Sequence, residues 1–237
     1  MDYWLSLARG PLFTMTFLFV VLALLRLVVI HIIAINMTWK RTRDHNIVVK
    51  DVARWVFEWA FPIKHFSQAR AAFSVISFLW HIGLILVPVF FASHLLLWER
   101  GLGVRLPDIL KMSKHTADAL TIVTVGLTVV MFLFRALSRE SRALSGPIDY
   151  ALLALLAVPF ITGFLAVHAK INPLPYNATM LIHVLSAELI FVLMPFTKLA
   201  HAALFPFGRI STYIYWRFPE GSGERIAHEI FGEKVKV

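Results

Sequence analysis

The chain has 237 residues, 59% of them hydrophobic and only 16% charged, with a mean hydropathy of +0.74, which is the composition of a polytopic membrane protein. A net charge of +9 does not point to nucleic acid here, because the basic residues sort by loop instead of gathering on one soluble face. The absence of cysteine removes thiolate-held iron–sulfur clusters, covalently attached c-type haem and disulfides from consideration.

A helix needs about 20 apolar residues to cross the hydrocarbon core. Five segments are long enough, near 11–36, 72–98, 116–136, 149–168 and 178–205. The first contains GPLFTMTFLFVVLALLRLVVIHIIAI, which is too long for a signal h-region and lacks a basic start and a small-residue cleavage site, so it reads as a retained span. In the loop that follows, VVKDVARWVFEWAF puts Val48, Val52, Trp55, Val56 and Trp59 at helical spacing with Lys50, Asp51, Arg54 and Glu58 between them. This predicts a helix lying in the membrane interface, with a docking surface for a cytoplasmic partner as the alternative. The second span carries His81, Pro88 and His94, and the loop after it, LWERGLGVRLPDILKMSKH, has a Gly-x-Gly turn and then Pro107 at the start of a short helix. The fifth span carries His183, Glu188 and His201; the tail beyond Pro206 is polar, broken by Gly221, Gly223 and Gly232, and too short for a catalytic domain. With no internal repeat, residues 1–237 read as one all-α domain, a five-helix bundle.

Five spans place residues 37–71, 137–148 and the tail 206–237 on one side, and most of the Lys and Arg lie there. The other side holds Arg9, Arg100, Arg105, Lys111, Lys114 and Lys170. The positive-inside rule then puts the N-terminus outside and the C-terminus in the cytoplasm, with the chain in the cytoplasmic (inner) membrane.

Ionisable groups within a span are costly and are kept for a purpose. His183 and His201 are eighteen residues apart, which is about five full helical turns, so both rings face one groove some 27 Å apart, close to the thickness of the hydrocarbon core. The second span runs antiparallel to the fifth, which sets His81 level with His201 and His94 level with His183. Two neutral imidazoles on facing helices supply what a six-coordinate haem b requires, one nitrogen lone pair on each side of the iron. Two such pairs predict two stacked haems between helices 2 and 5, one per leaflet. The thirteen-residue step from His81 to His94 leaves the rings about 140° apart on an ideal helix, so a kink at Pro88 or a local π-bulge has to re-aim one of them; otherwise His115 or His168 replaces His94. His45, His65 and His228 read as solvated, and His31 sits near the inner end of the first span. Arg26 either snorkels or pairs with a haem propionate, and Glu188 either hydrogen-bonds a neighbouring helix or handles protons.

The stretches LWHIGLIL and LIHVLSAELIFVLMPFTKLAHAALFPF resemble the haem b membrane subunit of respiratory nitrate reductase, the gamma subunit, and resemble still more its relatives in sulfite reductase-linked and heterodisulfide reductase-like complexes. The two histidines around a Pro-Phe-Thr-Lys-Leu core carry the likeness. It implies a quinone-interacting cytochrome b with two b haems, in which His81 and His201 hold the inner haem and His183 one side of the outer haem. In the nitrate reductase subunits the second outer ligand stands closer to the first histidine, so His94 matches by type and not by spacing. The likeness also implies a quinone-site role for Lys111 in LPDILK.

The expectation is therefore the electron-transfer subunit of a membrane oxidoreductase. It would exchange electrons between a quinone or quinol and an iron–sulfur partner at the cytoplasmic face of a hetero-oligomeric complex. A proton-coupled transporter using Glu188, and a structural anchor for a soluble redox enzyme, are the alternatives. The lack of repeats counts against the former, and the histidines have no purpose in the latter.

Overall fold

The structure is a computed structural model that describes residues 1–41, 48–61, 71–103, 105, 107–215 and 222–232. His45, His65 and Leu106 of the Leu-Pro pair lie outside them. The described residues form helices and contain no strand. Five helices are long and apolar enough to cross a membrane: Asp2–Lys40, Ala71–Phe90, Lys114–Leu137, Pro147–Val167 and Tyr176–Phe196. This is the build of a multi-pass membrane protein.

Contacts divide the chain into two compact units, Met1–Val21 with Ile63–Thr197, and Leu22–Pro62 with Lys198–Val237. The first unit begins with α1 (Asp2–Leu7), a π-helical turn at Ala8–Leu12 that absorbs Pro11, and the start of α2 (Phe13–Arg41). It continues with α4 (Ala71–Phe90), α5 (Ala92–Leu102), α6 (Lys114–Leu137), the short α7 (Arg139–Ala143), α8 (Pro147–Val167) and α9 (Tyr176–Leu193). Helix α6 packs on α4 and α8, and α8 packs on α9.

One face of α6 explains the seam with α4. Ala117, Thr121, Thr124, Thr128 and Met131 recur at steps of three and four and are all buried. Gly83 lets the helices meet there: a Cβ at that position would fall 1.8 Å from Thr124 Oγ1. Trp80 Nε1 donates to Thr128 Oγ1 at 2.7 Å, and the Thr128 hydroxyl donates onward to the Thr124 carbonyl at 2.7 Å. Small residues for close approach and hydroxyls paired within the bundle are what helix association demands where lipid removes the hydrophobic drive. Trp80, Met131 and Leu153 form the buried core beside this seam. Outward-facing Leu18, Leu22, Leu25, Ile32 and Ile33 leave α2 with an apolar exposed surface suited to lipid.

The second unit contains the remainder of α2, α3 (Val49–Ala60), α10 (His201–Tyr215) and α11 (Ser222–Phe231). Helix α3 occupies the segment that the spacing of Val and Trp predicted, and it packs on α10. Trp55 meets Tyr213 at 6.0 Å, and the Arg209 guanidinium lies 3.9 Å over Trp59.

Two of the expected spans are not continuous. The second ends at Phe90, Phe91 is extended (φ −64°, ψ 132°), and α5 starts at Ala92, so His94 lies on a separate helix from His81. The N–H of Met112 donates to the Phe90 carbonyl at 2.8 Å and pins the loop against the break. The fifth gives way to a 3₁₀ turn at Met194–Phe196, an extended Thr197 (φ −126°, ψ −179°) and another 3₁₀ turn at Lys198–Ala200 before α10. A proline lacks the N–H that a helix interior needs, and Pro195 sits where regular α-helix stops. His183 and His201 therefore do not share a face of one helix over five turns as expected, because no single helix joins them.

Candidate functional site

The first unit brings two of the four candidate ligands together. The rings of His94 on α5 and His183 on α9 are 5.9 Å apart between centroids and almost parallel, 9° between planes. Metal–imidazole nitrogen bonds are about 2.0–2.1 Å, so two rings bound end-on to one metal have centroids roughly 6.3 Å apart. The observed separation is close to that value, and it also lies within the range of ordinary aromatic pairs.

The seat of His183 is built by α8. Its Nδ1 lies 2.8 Å from the Pro159 carbonyl and 3.5 Å from Thr162 Oγ1. A carbonyl oxygen can only accept, so Nδ1 carries the proton and the lone pair is on Nε2. Gly163 makes the room: a Cβ there would stand 2.8 Å from His183 Cε1 and 3.1 Å from Nδ1. Pro159, Thr162 and Gly163 escape a reading that scans for ionisable residues. Their signal is a Pro-x-x-Thr-Gly run in the middle of an otherwise bulky apolar span.

His94 owes its aim to the break in the helix. Its Nδ1 reaches back seven residues to the Val87 carbonyl at 3.2 Å, a bond that a continuous helix does not permit, and Phe91 packs edge-on against it at 5.5 Å. The re-aiming that the sequence placed at Pro88 is accomplished three residues later, by the extended Phe91.

His81 and His201 share the same tautomer logic. His81 Nδ1 meets the Ser77 carbonyl at 2.7 Å within α4, and His201 Nδ1 meets the Lys198 carbonyl at 2.6 Å at the start of α10. Each therefore places its lone pair on Nε2. His81 is half-buried in the first unit, whereas His201 is exposed and belongs to the second.

The substitutes for His94 stand elsewhere. His168 is engaged at both ring nitrogens, by the Phe164 carbonyl at 2.8 Å and by Asp118 Oδ2 at 3.3 Å. His115 is exposed in the first turn of α6. Arg26 and His228 are exposed, and His31 bonds the Leu27 carbonyl at 2.8 Å. Lys111 follows a 3₁₀ turn at Asp108–Leu110 and ion-pairs with Asp108, both side chains being largely in solvent. Hydrogen bonding and charge from the Lys111 ammonium hold the Asp108 carboxyl below its ordinary value. Lys111 is next in sequence to Met112, so it sits beside the bond that pins the loop to the break before His94.

Glu188 is buried, and neither of its carboxyl oxygens has a hydrogen-bond partner. The indole nitrogen of Trp98 is also buried and unpartnered, and nothing in the hydropathy or charge pattern of its segment marks it, unlike the mid-span carboxylate.

Known proteins add one similarity. A protein of Nitratidesulfovibrio vulgaris, strain Hildenborough, is 36% identical over 149 residues, which cover 62% of this chain. The match spans 63% of that relative's length. No family model matches the chain, and no solved structure does.

Proposed function

We propose that this chain is a b-type membrane cytochrome with two haems, the quinone-interacting electron-transfer subunit of a respiratory oxidoreductase complex. The observation that carries the reading is the His94–His183 pair: nearly parallel rings 5.9 Å apart, each with Nδ1 tied to a backbone carbonyl and Nε2 left as the basic nitrogen. A hydrogen bond from the second ring nitrogen is how proteins orient a metal-binding histidine and raise its basicity.

His94 and His183 would hold the outer haem, and His81 and His201 the inner one. Bound there, haem b supplies a one-electron carrier in each half of the membrane. The protein's part is to fix ring orientation through Val87, Pro159, Ser77 and Lys198. With no cysteine in the chain, iron–sulfur clusters belong to a partner at the cytoplasmic face. The positive-inside distribution supports an inner-membrane location with the N-terminus outside. In that orientation, electron transfer between quinone and partner moves charge across the bilayer, worth about 2.3 kcal/mol per charge at 100 mV.

The test is a reduced-minus-oxidised spectrum of the purified protein with haem extraction. The expectation is a b-type α band and two haems per chain. A protein that carries no haem when expressed with ample haem supply would refute the proposal.

A further inference from the structure

The first unit contains two buried polar groups that the histidine seats do not use. Both carboxyl oxygens of Glu188, a residue only 3% exposed, are unpartnered, and so is the Trp98 indole N–H. Trp98 belongs to an aromatic cluster, and Glu188 lies one turn before one of its members. Phe13 and Phe17, a turn apart on α2, meet Trp98 of α5 at 5.9 and 5.6 Å, and meet Phe191 of α9 at 6.4 and 6.3 Å. Glu188 precedes Phe191 by three residues and so shares its face of α9. Buried polar groups are almost always paired, and a pair of orphans around a shared set of rings marks atoms that something outside the chain satisfies.

We propose that Trp98 and Glu188 grip the head group of the quinone among Phe13, Phe17 and Phe191. This rests on the electron-transfer reading above and names the contacts for its substrate. A para-quinone is a flat ring with an oxygen at each end, and the cluster offers flat faces, one of which carries the indole N–H, with the carboxyl one turn from Phe191 on α9. An indole N–H only donates, which suits a quinone carbonyl or the oxygen of a quinol. A carboxyl donates to a carbonyl when protonated and accepts from a quinol hydroxyl when ionised, so one side chain serves both redox forms. Trp98 stands one turn beyond His94 on α5, and Glu188 stands five residues beyond His183 on α9. The helices that present the histidine pair thus also present the head-group contacts. Lys111, the contact implied by family resemblance, is tied to Asp108 in solvent and is secondary to this buried pair.

The experiment titrates decylubiquinone into full-length protein in lipid nanodiscs and reads the dissociation constant by calorimetry, against empty nanodiscs. Haem content and melting temperature are measured on the same samples. Trp98→Phe and Glu188→Leu are expected to weaken binding at least tenfold each with haem content unchanged. Glu188→Gln, which keeps a donor and an acceptor, is expected to stay within about threefold of the parent. Unchanged binding in both Trp98→Phe and Glu188→Leu overturns the proposal, and does so equally if the variants melt higher, since ordered water alone then satisfied these groups. Loss of haem from the parent protein would instead refute the cytochrome reading, and the spectrum separates the two outcomes.

Discussion

Replacing Gly163 with alanine tests the seat of His183 without touching a candidate ligand. The new methyl carbon would lie 2.8 Å from Cε1 and 3.1 Å from Nδ1 of the imidazole. Unstrained carbon contacts begin near 3.5 Å, so the ring has to withdraw by about 0.7 Å or α8 and α9 have to part. The 2.8 Å bond to the Pro159 carbonyl cannot keep its geometry through such a shift. Its loss costs about 1 kcal/mol, and overpacking of this kind costs about 1–3 kcal/mol. The helix preference of alanine over glycine returns about 1 kcal/mol. The net is a loss of roughly 1–3 kcal/mol, which lowers the melting temperature by several degrees for a chain of this size. Gly126→Ala is the matched control, since a Cβ at that position in α6 meets nothing within 4 Å. Thermal unfolding in nanodiscs reads the first effect, and haem extraction reads the second: one haem per chain in Gly163→Ala against two in the parent and in Gly126→Ala. A Gly163→Ala protein that melts with the Gly126→Ala control would refute the geometry, whereas one that melts lower yet keeps both haems would refute the role given to His183.

Single alanine replacements of His94 and His183 should each remove one haem and leave the same remaining spectrum, and those of His81 and His201 should together define the other; four unrelated spectra would break the pairing. Gly83→Ala forces a methyl group into Thr124 Oγ1, 1.8 Å away, and should destabilise by several kcal/mol through overpacking, roughly 3 or more. Adding Thr124→Ala removes that oxygen and should recover part of the loss, whereas strict additivity in the double-mutant cycle would show that the two helices do not meet there. Asp108 should titrate below the ordinary carboxylate range, and its midpoint should rise in Lys111→Ala, as followed by carboxyl carbon NMR. Because folding lowers this pKa, the pair's small stabilisation is present at neutral pH and is lost as pH falls through the folded value; an unmoved midpoint in Lys111→Ala would show that the contact is not kept in solution.

Hydrophobic length alone located all five spanning helices, because a bilayer leaves few ways to satisfy a backbone and runs such as Thr121–Leu137 are hard to read otherwise. The ends of the second and fifth spans were less legible. Residues 91–98 and 197–205 are less apolar than the helices before them but still mostly apolar, and hydropathy does not register where backbone hydrogen bonding stops. Helical arithmetic across Pro195 therefore gave His183 and His201 a common face that the broken chain does not provide. For His94 the same arithmetic raised the right problem, a 140° misfit, and the break at Phe91 is the physical answer. Gly163 and Trp98 were invisible for another reason: their importance comes from what faces them across the bundle, and only the three-dimensional arrangement supplies that.

The two breaks follow one rule, which the sequence contains in plain view. PVFFASH and PFTKLAH, residues 88–94 and 195–201, each place a histidine six residues after a proline. In both, regular helix fails within three residues of the proline, at Phe91 and through Phe196 and Thr197, and helix resumes within three residues of the histidine or at it. Broken helix in an apolar medium leaves carbonyls that need donors, each costly if unmet. Met112 N–H serves Phe90, the Thr197 hydroxyl serves Leu193 and His201 Nδ1 serves Lys198, while His94 Nδ1 adds a second donor to the Val87 carbonyl, which also accepts from Phe91 N–H. A histidine that closes a carbonyl with Nδ1 is held in the tautomer that leaves Nε2 basic. A proline thus lies close to each interruption, and the carbonyl that orients the ring is its neighbour Val87 in the one case and Lys198, three residues beyond it, in the other, which couples the break to the aim of the imidazole. If that coupling is correct, Pro88→Ala and Pro195→Ala should each shift the spectrum of one haem and leave the other unchanged, and a proline variant with both haems spectrally intact would show that break and ligand are independent.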